Sequence, residues 1–135
     1  MRRALADTFP QAALILDEAS LRQIVDVVCA YLEAPDGEIG LRLDVRGSAV
    51  EQAVWEALRA IPCGQTTTYG QIARSLPVTA TAQEVGAACA ANRHAIAIPC
   101  HRVVKADGAI SGYRWGVARK RALIGREAAA WTLQA

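Results

Sequence analysis

Apolar residues recur at three- and four-residue spacing after Asp17: Leu21, Ile24, Val25, Val28 and Leu32 form one stripe, the pattern of an amphipathic helix. Asp17 is placed to cap its start, and Ala34-Pro35-Asp36-Gly37 ends it. Residues 1–16 show no clear period. Leu41 to Val45 alternates apolar and polar, which predicts a short extended segment. Three capping boxes then follow in order, Ser48 with Glu51, Thr68 with Gln71 and Thr81 with Glu84. In each, a short side chain bonds a backbone N–H three residues on, and the longer one reaches back. The first opens a helix with Val50, Val54, Leu58 and Ile61 on one face and Trp55 beside it, ended by Pro62-Cys63-Gly64. The second opens a short helix, about Tyr69 to Leu76, stopped by Pro77. The third runs to about Asn92 with Val85, Ala88 and Cys89 inward. A last helix, about Val117 to Trp131, turns Val117, Ile124, Ala128 and Trp131 inward and carries Arg119, Lys120, Arg121 and Arg126 on its other sides.

The two short helices, the second rich in alanine, read as a helix-turn-helix over about residues 68–92. An ordinary helical hairpin has the same pattern, so the pair alone is a weak signal. The chemistry gathers further on. Ile98-Pro99-Cys100-His101-Arg102-Val103-Val104 ends an apolar run with a thiol, an imidazole and a guanidinium side by side. A cysteine is a strong nucleophile only as the thiolate, which a base or a positive field favours, and His101 and Arg102 offer both. A buried structural thiol is the plainer alternative. Ser111 to Gly116 follows as a loop with two aromatic rings and Arg114, a composition able to stack on a flat base.

Composition narrows the class. The 135 residues are 53% hydrophobic and 21% charged, which suits one globular domain with a real core. No apolar run approaches the roughly 20 residues of a membrane span, and Met1-Arg2-Arg3 is not followed by a signal-peptide core. The expected setting is cytoplasmic. Four cysteines, at 29, 63, 89 and 100, form no C-x-x-C pair and are joined by only two histidines, so a metal site is not expected and reduced thiols are. Residues 1–50 carry a net charge of −3 and residues 51–135 one of +5, a bias that suits a polyanionic partner or a solvated basic face.

Taken together, Ile61-Pro62-x-Gly64, Thr68-Tyr69, Asn92, Pro99-Cys100-His101-Arg102-Val103, Gly112-Tyr113-Arg114-Trp115-Gly116 and Lys120 through Glu127 resemble the 6-O-alkylguanine-DNA alkyltransferases, above all the carboxy-terminal repair domain of bacterial adaptive-response proteins. The likeness covers roughly Leu43 to Glu127. It implies direct, single-turnover transfer of an alkyl group from guanine in duplex DNA to Cys100, with no cofactor. It implies that His101 acts through a water as base, that Glu127 orients it, and that Asn92 holds the reactive turn. Tyr69 would assist protonation of the leaving guanine. Tyr69, Gly70 and Gln83 would meet DNA in the minor groove, and Val103, Tyr113 and Arg114 would line the pocket for an extruded base.

Two departures stand out. The family places an arginine at the start of the second short helix, where this chain has Gln83. Family members also carry an amino-terminal sheet that is not recognisable here. The expected fold is therefore mainly α, an α+β family without its first sheet. Residues 1–47 are expected to form a helical lead and 48–135 the DNA-binding, alkyl-accepting domain, with a complementing chain as an option. Two other functions compete. One is a non-catalytic alkylated-DNA binder, in which Cys100 has no purpose. The other is a sequence-reading regulator, in which the Cys-His turn has none.

Overall fold

The computed structural model describes residues 2–134. Helix α3 (Ala49–Arg59) is the centre of the molecule. It packs against α5 (Ala82–Ala91), and both meet α4 (Tyr69–Ser75). All three carry the reciprocal side-chain caps expected from the sequence: Ser48 with Glu51, Thr68 with Gln71 and Thr81 with Glu84. Each satisfies amide donors that a helix start leaves free. Val54 and Leu58 of α3, Ile72 of α4, and Val85, Ala88 and Cys89 of α5 form the core, closed by Ile98, Cys100 and Val103. Trp55 is buried with them, and its indole N–H donates to the Ala88 carbonyl at 2.8 Å, which ties α3 to α5. Thr67–Thr68 (β1) pairs in parallel with Val103–Val104 (β2), Thr67 opposite Val103. This two-residue ladder fixes the segment after the reactive turn against the start of α4.

The remaining elements frame this unit. Helix α1 (Arg2–Thr8) falls where the sequence showed no period. Helix α2 (Glu18–Glu33) has the expected Asp17 cap, the carboxylate accepting from the Ser20 amide at 3.0 Å. Its apolar stripe is not covered: Leu21, Ile24 and Val25 are about half exposed, and no α2 residue is buried. The stripe is complementary to a core, but α2 reaches the molecule only through its last turns, where Tyr31 and Leu32 lie. Leu41, Leu43 and Val45 are half-buried while Arg42 and Asp44 face solvent, so the alternation is real, yet among the described residues no strand pairs with it and no ladder forms. Helix α6 (Val117–Gln134) corrects the expected inner face. Val117 and Trp131 are exposed, at 41% and 50%, and the buried positions are Lys120 and Glu127. These lie two turns apart on one face, and the partners that bury them are polar. Among the described residues no helix is long and apolar enough to cross a membrane.

Candidate active site

Cys100 opens a 3-10 turn, Cys100–Arg102, at the centre of the core, with 4% of its surface exposed. The chain before it turns sharply, and Ile96 sits at φ +73°, which for a β-branched residue is strained by about 1–2 kcal/mol. Asn92, fully buried after the last turn of α5, holds this bend. Its amide donates to the Ile98 carbonyl at 2.9 Å and to the Cys100 sulfur at 3.1 Å, and its oxygen accepts from the His94 amide at 2.9 Å. One side chain thus spans the loop and touches the thiol.

His101 is also fully buried, its Nε2 at 2.7 Å from the Glu127 carboxylate on α6. The adjacent residue completes the arrangement differently from expectation. Arg102 supplies no field to Cys100. It turns away to Glu127, donating from Nε at 2.9 Å and Nη2 at 3.0 Å, to the Ile61 carbonyl at 2.6 Å and to the Tyr31 hydroxyl at 2.9 Å. Burial alone would raise the Glu127 carboxyl, but hydrogen bonds from His101 and Arg102, with the Arg102 charge, outweigh it and hold the group down at about 2. Glu127 is therefore an anion. With a carboxylate on Nε2, the ring proton sits there and Nδ1 carries the lone pair. His101 Nδ1 is the one buried side-chain nitrogen or oxygen without a hydrogen-bond partner among the described residues.

The Cys100 thiol is pushed up by burial, opposed by the Asn92 hydrogen bond, by the Lys120 charge and by the turn's own backbone. The thiol is thus the resting form and needs a base. The cation near it is Lys120, which the sequence pattern had placed on the solvent side of the last helix. It is 1% exposed, and its ammonium donates to Ser111 Oγ at 2.8 Å. Ser111 Oγ is in turn 2.5 Å from the Tyr69 hydroxyl. Ser111, Lys120 and Tyr31 were not singled out as site residues, and Arg102 was singled out for a different role, as a field on Cys100. A lysine at helical spacing from Glu127 was the available signal for Lys120, and the Cys-His-Arg adjacency for Arg102.

A cavity of about 320 Å³ opens beside the sulfur, within the range of small-ligand pockets. Tyr69, Gly86, Cys89, Ala90, Cys100, Gly112, Tyr113 and Arg114 line it. Tyr69, Tyr113 and Arg114 are where they were expected. At Val103 it is the backbone, the part expected at the pocket, that faces the site: the side chain is fully buried in the core, while the carbonyl lies 3.4 Å from Ser111 Oγ. The β1–β2 pairing draws the side chain inward. Trp115 stands edge-on to Tyr113, ring centres 5.2 Å apart, and so props the cavity wall without lining it. Gly70 is half-buried in the first turn of α4, and Gln83 is exposed in the first turn of α5, outside the cavity. The cavity mouth therefore lies between the two short helices and the Tyr113 loop.

A family model described as the DNA-binding domain of 6-O-methylguanine DNA methyltransferase matches residues 49–129. The chain belongs to the 6-O-methylguanine DNA methyltransferase family. The matched part of this methyltransferase-family chain runs from the first residue of α3 to just past Glu127. Among curated relatives, the bifunctional transcriptional activator/DNA repair enzyme Ada of Escherichia coli is 48% identical over 124 residues, 92% of this chain and 35% of that protein. A methylated-DNA–protein-cysteine methyltransferase of Mycobacterium bovis is 42% identical over 108 residues, 80% of this chain and 66% of its own length. This chain thus spans about a third of the first relative and just under two thirds of the second. Among solved structures, Mycobacterium tuberculosis OGT in complex with DNA matches with a TM-score of 0.76 and 41% identity over 81% of this chain and 68% of the other.

Proposed function

We propose that this chain repairs DNA directly, moving a methyl or other alkyl group from the 6-oxygen of guanine in duplex DNA to its own Cys100, once per molecule and without a cofactor. The observation that carries the reading is a pair of buried contacts on neighbouring residues beside an open cavity: Asn92 on the Cys100 sulfur, and His101 held by an anionic Glu127. The relatives named as methylated-DNA–protein-cysteine methyltransferases, and the OGT structure solved with DNA, support it.

In this reading the roles divide among the residues of the site and the two short helices. Glu127 holds the proton on His101 Nε2, leaving Nδ1 to accept one. A water hydrogen-bonded at this unpartnered nitrogen passes the Cys100 proton to it. Asn92 steadies the thiolate as it forms. The sulfur then attacks the alkyl carbon and guanine leaves, with Tyr69 as the proton donor on its side of the cavity. The base is out of the duplex when this occurs, because a buried thiol cannot reach into a stack. Helices α4 and α5 enter the minor groove, with Gly70 and the alanines of α5 allowing close approach and Gln83 filling the gap in the stack. The thioether is stable and nothing in the cavity removes it, so the protein is consumed. The reading keeps residues 48–135 as the working domain, residues 1–47 as a helical lead and the cytoplasm as the setting. A separate chain completing an amino-terminal sheet has no support from the relatives and is dropped.

Incubation with duplex DNA containing O6-methylguanine, followed by mass measurement, tests the proposal. A gain of one methyl on Cys100 is expected, and no gain refutes it. The non-catalytic alternative draws on similarity to S. pombe Atl1, solved with damaged DNA, at a TM-score of 0.53 and 29% identity. It is not favoured, since it gives the Asn92–Cys100 contact and the His101–Glu127 pair nothing to do.

A further inference from the structure

Lys120 is a lysine with 1% exposure, and its nitrogen has no carboxylate partner among the described residues. Its contacts are Ser111 Oγ at 2.8 Å and the Gly112 carbonyl at 3.5 Å. An ammonium is seldom buried without an anion, because its desolvation is not offset. Ser111, 8% exposed, links it to the Tyr69 hydroxyl on α4, which lines the alkyl cavity. The ammonium can only donate, so Ser111 accepts from it and has one proton left to give. Two acceptors compete for that proton, the Tyr69 oxygen at 2.5 Å and the Val103 carbonyl at 3.4 Å. The shorter contact favours Tyr69, whose own proton is then free to point into the cavity.

We propose that Lys120 is a positioning residue that, through Ser111, orients Tyr69 and resupplies the proton Tyr69 gives to the departing guanine. This rests on the alkyl-transfer reading of the site. The Cys100 thiol proton ends on His101. The sulfur's electron pair forms the bond to the alkyl carbon, and the bond from that carbon to the 6-oxygen breaks, leaving its pair on guanine. Tyr69 protonates the guanine, Ser111 protonates Tyr69, and Lys120 protonates Ser111. Lys120 ends neutral and His101 cationic, so the total charge is unchanged and no further reactant is needed. Burial makes the ammonium a better acid than an exposed lysine. The titratable groups facing it are Cys100 from the turn, Cys89 from α5 and, beyond Ser111, Tyr69 from α4, and the two thiols counter that effect if ionised.

Single-turnover transfer from O6-methylguanine DNA is compared with alkylation of Cys100 by iodoacetamide, whose iodide leaves without a proton. Ser111→Ala keeps the ammonium but breaks the chain. It should slow transfer at least about tenfold and leave iodoacetamide alkylation within about twofold of the parent. Lys120→Met should slow transfer as much, and Lys120→Arg should recover part of it. The parent's transfer rate should fall at alkaline pH as Lys120 loses its proton, a limb absent from the Ser111→Ala profile. Transfer by Ser111→Ala within twofold of the parent overturns the relay, as does equal slowing of both reactions, which marks a structural role. If Lys120→Met misfolds, Ser111→Ala decides alone. A parent protein that takes no methyl at all removes the alkyl-transfer reading, and the relay with it.

Discussion

Replacing Glu127 with glutamine tests the site's electrostatics most sharply. The carboxylate, 3% exposed as a residue, takes three close hydrogen bonds from His101 and Arg102. The glutamine side chain keeps the shape, loses the charge and turns an amide donor toward two groups that themselves donate. The parent carboxyl is lowered from 4.5 to about 2, which corresponds to about 3 kcal/mol of native-state preference for the anion. Removing one partner of a buried pair costs a similar amount, about 3–5 kcal/mol. The side chain is too buried for solvent to screen much of this. The carboxyl's folded value lies below its unfolded one, so its contribution is present above about pH 4.5 and lost as pH falls toward 2. Urea denaturation at pH 7 should therefore show Glu127→Gln weaker by about 3 kcal/mol, and the gap should close between pH 4.5 and pH 2. Such a loss leaves a domain of ordinary stability folded. Transfer should slow on the order of 100-fold or more, because the His101 ring no longer has its proton held on Nε2. A variant within about 1 kcal/mol of the parent at pH 7, or a gap unchanged by acid, refutes the account of Glu127 as the anchoring anion.

Other substitutions probe other links. Cys100→Ser should abolish methyl gain by mass while leaving DNA affinity within a few-fold, and persistent gain would move the acceptor elsewhere, with Cys89 next to examine in the same cavity. Gln83→Arg should speed transfer from duplex DNA more than from a free benzylated guanine base, and equal effects on both would mean Gln83 does not limit base extrusion. Gly64 has φ +79° and a Cβ there would lie 2.7 Å from Trp131 Cβ, so Gly64→Ala should lower stability by about 1–3 kcal/mol in thermal or urea unfolding. No measurable change would mean that α6 does not press on this turn.

Local chemistry in the sequence determined the three capped helices. A capping box is complete within four residues, so Ser48, Thr68 and Thr81 marked helix starts whatever packed around them. The Cys100–His101 adjacency and the inner face of α5 were legible for the same reason, since neighbours along a chain or one turn of helix stay neighbours. Tertiary structure decided everything that depends on distant partners. Whether the apolar stripe of α2 is covered depends on what lies opposite, and among the described residues Leu21, Ile24 and Val25 stay about half exposed. Lys120 became buried, and Arg102 became the clamp on Glu127, through contacts nine and 25 residues away. Helical period marks apolar faces because water expels them wherever they sit. It cannot mark a charged face turned inward, because a buried charge is tolerable only where the finished fold supplies its hydrogen bonds.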